Sequence, residues 1–196
     1  MDGYWAIQPD GFGQPSVRSV QTAYDRVIAI GDETWTNYQV TAEMTFNRED
    51  CFDFGSGIIT GWTGHTYGDP FALNPDQPRT GHPFFGAGEY STAGGLPSNQ
   101  AIDIYANSPS FPETTLVRDT SGFKLIPGVK YIFKFAVQRN ANNTSSHLSL
   151  KVWQSGTTEP ANWTLQADGD ASTGSFLLVP FRADVSFGKI DVIALP

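Results

Sequence analysis

The chain has 196 residues, of which 39% are hydrophobic, 13% aromatic and only 16% charged, and its formal net charge is −8. This composition excludes a disordered chain, which needs high charge and few aromatic residues. The negative charge disfavours nucleic acid and anionic membrane surfaces as partners, because like charges repel. No apolar run approaches the roughly 20 residues of a membrane-spanning helix, so we expect no membrane insertion.

Alternation of apolar and polar residues predicts half-buried antiparallel strands along most of the chain. No segment has a helical period with caps, and at most one helical turn is expected near 160–163. The polar stretch 140–146 predicts a hairpin loop, because Asn and Ser tolerate turn geometry. We predict strands at 26–30, 38–46, 56–62, 101–105, 114–118, 131–137, 148–152, 175–180 and 184–195.

The region 64–99 interrupts this regular spacing. It is rich in Gly and Pro, yet it also carries aromatic and charged residues. We predict a long loop there, and long loops in compact domains are usually functional or mobile. Nothing elsewhere resembles a linker or a repeat. We therefore predict one all-β domain over 1–196, a two-sheet antiparallel β-sandwich.

Four segments carry a resemblance to a known family. They are YDRVIAIGDETWTNYQVTAEMTF at 24–46, GIITGWTGHT at 57–66, KYIFKFAVQRNANNTSSHLSLKVWQSGTTEPANWTL at 130–165 and VSFGKIDVIAL at 185–195. Together they resemble the concanavalin A-like lectin/glucanase superfamily, and within it the laminin G-like jelly rolls. The resemblance implies two curved sheets, a glycan on the concave sheet and a structural Ca²⁺ near the termini. It also implies an extracellular or cell-surface location. No signal segment opens the chain, so this expectation rests on the resemblance alone.

Sugar sites need an aromatic ring to stack on a pyranose and planar polar groups to bond its hydroxyls. Trp62 and His65 lie where a predicted strand opens into the region 64–99, which supplies more residues of these types. The alternative is that Trp62 belongs to the core and His65 holds the loop. We predict a glycan-binding site formed by Trp62, His65, Tyr67, Arg79, His82, Tyr90 and Arg118.

Asp32 and Asp191 are the candidate metal ligands. Ca²⁺ prefers carboxylate and carbonyl oxygens, and Asp32 follows a glycine in a predicted tight turn, while Asp191 lies in the last predicted strand. The resemblance implies that an N-terminal loop and a C-terminal aspartate share this ion. The alternative is a solvated turn for Asp32 and an ordinary exposed strand position for Asp191.

No catalytic residue is predicted. Hydrolases of this fold carry a Glu-x-Asp-x-x-Glu strand motif that sets two carboxyls about 5 Å apart, and the chain lacks it, as it lacks the lyase strand motifs. We favour a non-catalytic carbohydrate-binding or adhesion module of a larger extracellular protein. A polysaccharide-degrading hydrolase or lyase is the second hypothesis, and a structural or protein-interaction spacer is the third. The enzyme would draw its acid and base groups from His65, Glu89, Tyr90 and Arg118.

Overall fold

Strands dominate the computed structural model, which describes residues 3–21, 26–49, 55–65, 84–91, 100–108 and 110–196. Within these residues there is no helix, and hence none that could cross a membrane. The strands are β1 (Trp5–Pro9), β2 (Pro15–Ser19), β3 (Ile28–Ile30), β4 (Tyr38–Glu49), β5 (Gly55–Trp62), β6 (Phe84–Ser91), β7 (Gln100–Ser108), β8 (Phe111–Arg118), β9 (Lys130–Arg139), β10 (Ser145–Gln154), β11 (Leu165–Asp170), β12 (Ser175–Phe181) and β13 (Ala183–Ala194).

These strands form two antiparallel sheets that pack face to face. The seven-stranded sheet has the order β1-β2-β13-β4-β9-β10-β11, and the six-stranded sheet has the order β3-β12-β5-β6-β7-β8. Neighbours in the sequence often belong to different sheets, as β4 and β5 do, so the chain repeatedly crosses the sandwich. The two-sheet antiparallel β-sandwich predicted from the sequence is confirmed.

Alternation along each strand separates the core from the outward faces. Val40 pairs with Phe135, and Phe135 pairs with Leu150, so these apolar residues share one inward row. All three are fully buried, and burying each such side chain contributes about 2 kcal/mol. The residues next to them along each strand, such as Thr41 beside Val40 and Lys134 beside Phe135, must therefore point away from the core.

The nine predicted strands are present, but the sequence interpretation was wrong in four regions. β1 and β2 form a short hairpin that was not predicted, and 160–163 forms bends rather than a helical turn. β6 lies within the region predicted to be a loop, and β11 occupies 165–170, where no strand was predicted. The glycines of β6 and β11 permit close packing instead of turns: a Cβ at Gly169 would overlap the ring of Phe85.

Candidate functional site

The outward face of the seven-stranded sheet carries a shallow floor of small side chains. Ala136 of β9 pairs with Ser149 of β10, which pairs with Gln166 of β11, so the three form one cross-strand row. Ala136 is 7% and Ser149 5% exposed, because longer side chains stand beside them. Here the β9–β10–β11 face means this floor and the side chains around it, namely Lys134, His147, Lys151, Glu159, Trp163, Gln166 and Asp168.

Planar polar groups form one side of this face. The Nδ1 atom of His147 lies 2.8 Å from Oδ1 of Asp168, and its Nε2 atom lies 3.1 Å from Nε2 of Gln166. The Gln166 amide also donates to Oγ of Ser149 at 3.3 Å. Because the carboxylate can only accept, it holds the proton on Nδ1 and leaves Nε2 as an acceptor for the amide. An imidazole, an amide and a carboxylate are thus oriented together on an exposed surface.

Two lysines and the loop between β10 and β11 form the other side. Lys134 and Lys151 both contact Oε1 of Glu159, at 2.6 and 3.2 Å, and the hydrogen bond from Lys134 lowers the pKa of Glu159. Lys151 also donates to the Pro160 carbonyl at 2.9 Å and lies 4.8 Å from the ring centroid of Trp163. The loop is therefore fixed against the sheet, and Glu159 neutralises much of the lysine charge.

A second charged group lies on the outward side of the seven-stranded sheet, outside the β9–β10–β11 face. Lys130 contacts Oδ2 of Asp10 at 2.7 Å and Oε2 of Glu43 at 3.2 Å. Burial alone would raise the pKa of Asp10, but hydrogen bonds from Lys130 and from the backbone N–H groups of Gln14 and Phe12 outweigh it and lower the pKa. A general acid for glycoside hydrolysis needs a raised pKa. The buried, ionised Asp10 is therefore unsuited to that role.

Trp62 and His65 lie on the opposite sheet, on its outward face. Gly61, at a positive φ of 74°, lies in the bulge where the pairing of β5 with β12 shifts register, and this bulge points Trp62 outward. Trp62 packs against a cluster of Val27, Ile59, Leu177 and Val179. Its ring meets that of His65 edge-on, with centroids 5.3 Å apart. The structure thus brings these two predicted residues together, with Trp62 partly buried.

Arg118 is held elsewhere on that six-stranded sheet. Its Nε atom donates to Oδ1 of Asp103 at 2.8 Å, and its terminal nitrogen pairs with Oδ2. Asp103 is only 1% exposed, and burial raises its pKa more than the contact with Arg118 lowers it. The strand spacings put Arg118 roughly 20 Å from Trp62. The predicted site residues Tyr67, Arg79 and His82 lie outside the described residues, and Tyr90 is described only as a backbone position of β6.

Asp32 and Asp191, the two predicted metal ligands, each have a local partner in the structure. Oδ1 of Asp32 accepts hydrogen bonds from the Thr34 amide at 2.9 Å and its hydroxyl at 2.7 Å, which lower the pKa of Asp32. Asp191 forms an exposed ion pair with Lys189 at 2.7 Å. Across the described part of the chain, no group of three or more His, Cys, Asp or Glu side chains could hold an ion. The shared Ca²⁺ site at Asp32 and Asp191 therefore stays a prediction, and within the described residues any further ligands would have to be backbone carbonyls, amides or water.

No family model and no curated protein matches the chain. Solved structures do. A mutant of the GH43 protein BlXynB from Bacillus licheniformis superposes with a TM-score of 0.56 at 10% identity, over 97% of this chain and 37% of that one. The Ca²⁺/Man-bound VIP36 exoplasmic/lumenal domain superposes with a TM-score of 0.55 at 11% identity, over 99% of this chain and 82% of that one. A legume lectin-like domain from Entamoeba histolytica superposes with a TM-score of 0.54 at 7% identity, over 100% of this chain and 89% of that one.

These neighbours confirm the two-sheet jelly-roll fold that the resemblance implied. Membership of the concanavalin A-like superfamily stays a prediction. The chain spans little more than a third of the GH43 protein, and all of these identities are low. The likeness therefore establishes the architecture and no activity, since one fold hosts many functions. The narrower assignment to laminin G-like domains stays a prediction.

Replacing Trp62 by alanine should lower the free energy of unfolding by about 2 kcal/mol, because a partly buried aromatic ring leaves the cluster on the six-stranded sheet. His65→Ala should cost less, since His65 contacts Trp62 at its edge. Thermal melts of both variants check this. A Trp62→Ala variant that melts like the parent chain and loses glycan binding would instead support the predicted role of Trp62 as a ligand-binding residue.

Proposed function

We propose that the chain is a non-catalytic carbohydrate-binding or adhesion module that holds a glycan on its β9–β10–β11 face. The observation that carries this proposal is the floor of Ala136 and Ser149, with oriented polar groups on one side and Trp163 on the other. A pyranose is a flat ring with hydroxyls around its edge. It fits a shallow depression whose rim offers planar donors and acceptors and an aromatic surface.

The charges of this face favour a neutral glycan. Lys134 and Lys151 share Glu159, and His147 contacts Asp168, so each basic group on the face already has an acidic partner. A uronate or sulfate would have to compete with those carboxylates, within a chain of net charge −8. A neutral sugar can bond to these groups without displacing any charge.

The similar structures support this interpretation without proving it. VIP36 is described there in a mannose-bound form, and the Entamoeba domain is described as legume lectin-like. The resemblance implies that the concave sheet holds the glycan, and we infer that this is the seven-stranded sheet. The exoplasmic or lumenal setting of VIP36 also supports an extracellular or cell-surface location for a module spanning 1–196. A structural Ca²⁺ at Asp32 and Asp191 remains a proposal, and the Ca²⁺-bound form of VIP36 supports it.

The described carboxylates favour binding over catalysis. Those with a lowered pKa include Glu159 and Asp170, which are poor proton donors near neutral pH. Asp103 has a raised pKa, but it is buried and engaged by Arg118. A glycosidase needs an accessible pair with opposed protonation preferences. The similar GH43 structure keeps an enzyme as the alternative outcome of the experiment below.

The test is a glycan array on the purified chain, with and without Ca²⁺, followed by assays for new reducing ends and unsaturated products on every hit. Binding without turnover supports the module, and a signal lost on chelation supports a calcium site. Turnover favours the hydrolase or lyase. The absence of any hit contradicts the proposal and favours the spacer hypothesis.

Gln166→Ala should weaken glycan binding about tenfold, because the floor loses the amide that orients both His147 and Ser149. The fold should persist, since Gln166 is exposed on β11. Isothermal titration with an array hit measures the affinity. The matched control is Gln138→Ala on the neighbouring row, whose amide instead donates to the Pro196 carbonyl at 3.1 Å. Equal affinities for the parent chain and Gln166→Ala would place the ligand elsewhere.

A further inference from the structure

A second concavity lies on the outward side of the seven-stranded sheet, beyond the β9–β10–β11 face. Its volume is 340 Å³, and it is lined by Phe12, Gly128, Val129, Lys130, Gln154, Ser155 and Gly156. That volume falls in the usual range of small-molecule sites, about 300–1,000 Å³. Gly128 and Gly156 both have a positive φ, which favours glycine, and a Cβ at either would meet no atom within 4 Å.

Phe12 stands at the rim of this cavity on a rigid turn. Phe12 is 54% exposed, which is unusual for a large apolar residue. Oδ1 of Asp10 accepts hydrogen bonds from the amides of Phe12 at 2.9 Å and Gln14 at 2.8 Å. The Asp10 amide in turn donates to the Gln14 carbonyl at 2.7 Å. An exposed ring on a pre-ordered turn can stack on a ligand at little entropic cost.

The remaining lining is polar and anchored. Lys130 lies 5.2 Å from the ring centroid of Phe12 and is held by Asp10 and Glu43. Its backbone carbonyl accepts a hydrogen bond from the Ser155 amide at 2.9 Å, and Gln154 is exposed at the end of β10. An aromatic residue, two residues with polar side chains and a lysine paired with two carboxylates therefore border one sugar-sized space.

The cavity and the small-residue floor belong to one continuous surface. Lys130 and Ala136 lie six positions apart on β9 and therefore point to the same side, about 20 Å from each other. Between them lie Lys134 and the outward-facing Trp153, whose ring centroid is 5.7 Å from the Lys134 ammonium. A single sugar could not reach both ends, whereas a chain of sugars could.

We propose that the cavity beside Phe12 is a second carbohydrate subsite, and that the ligand is a neutral oligosaccharide chain running along the seven-stranded sheet. This inference rests on the proposed function, because it extends the same surface. It predicts that affinity grows with chain length, and that Phe12 contributes only to the longer ligands.

The experiment is isothermal titration with neutral dimers and hexamers of glucose, xylose and mannose, in both α- and β-linkage. Hexamers should bind at least tenfold more tightly than dimers. Phe12→Ala should remove that gain and leave dimer binding unchanged, and Phe12→Trp should keep it. Tyr4→Ala is the matched control, since Tyr4 is also exposed, at 78%, but does not line the cavity.

The outcomes separate the two proposals. If the parent chain binds dimers and hexamers equally, or if Phe12→Ala binds hexamers as the parent does, the second subsite is overturned and the module stands. If no dimer or hexamer binds the parent chain, the second subsite fails, and the proposed function fails as well only when the glycan array also shows no hit. A melting temperature of Phe12→Ala equal to that of the parent shows that any loss arises from the missing ring.

Discussion

Arg118→Ala should destabilise the fold by about 3 kcal/mol at neutral pH, because it leaves the Asp103 carboxylate buried without a counter-charge. Asp103 is 1% exposed, and its only described ionic partner is Arg118. The arginine side chain is 32% exposed, so solvent can enter the space it leaves, and the lower end of the usual cost for a broken buried pair is expected. Urea unfolding of the two proteins measures the difference.

The loss should depend on pH in a defined direction. Burial already raises the pKa of Asp103 in the fold, so the ionised form costs stability as the pH rises through that folded value. Without Arg118 the folded pKa rises further, and the cost at neutral pH increases. Near pH 4, the ordinary value for an aspartate, the variant carboxyl is protonated in the fold. The difference in unfolding free energy should therefore be smaller there.

Two further variants show whether the buried charge is the cause. Arg18→Ala breaks a similar pair with Asp184, but those side chains are 33% and 14% exposed, so about 1 kcal/mol is expected. The double variant Asp103→Leu/Arg118→Leu should recover much of the loss, since it removes both charges. An Arg118→Ala variant that unfolds like the parent but binds glycan poorly would return Arg118 to its predicted role as a ligand residue.

The sequence could predict the sandwich because period-two alternation is a property of single strands. Val40 and Phe135 are visible as core positions without knowing that they pair. The β9–β10–β11 face is different, because it arises only when Ala136, Ser149 and Gln166 line up in register. Those residues lie on three consecutive strands. The stretch 140–146 predicts a hairpin between the first two, but the sequence does not give the exact register of either pairing.

Trp163 and Asp10 show the same limit of sequence-based prediction. Trp163 is easily interpreted as a core or rim residue from its family-like segment, yet the loop folds back and places its ring over Lys151. Asp10 is identifiable as an acid near the N-terminus, but its burial against Lys130 depends on a hairpin that has no strong alternation. Both cases turn on how a loop packs against a sheet, which composition does not encode.

Gly88→Ala should destabilise the six-stranded sheet by about 3 kcal/mol or more, with a melting temperature roughly 10 °C lower. Gly88 of β6 pairs directly with Gly57 of β5, and a Cβ on Gly88 would come within 3.0 Å of the Ser56 carbonyl oxygen. Backbone atoms cannot rotate away as a flexible side chain can. The strands would have to separate and weaken their ladder of hydrogen bonds.

Gly57→Ala should have a comparable effect, because its Cβ would meet the Ala87 carbonyl oxygen in the same way. The matched control is Gly11→Ala in the β1–β2 turn, where a Cβ meets nothing within 4 Å and the change should stay within about 0.5 kcal/mol. Thermal melts of the three variants suffice. Melting of Gly88→Ala at the parent temperature would mean that β5 and β6 lie further apart than the structure places them. Gly88 would then belong to the long loop that the sequence predicts at 64–99.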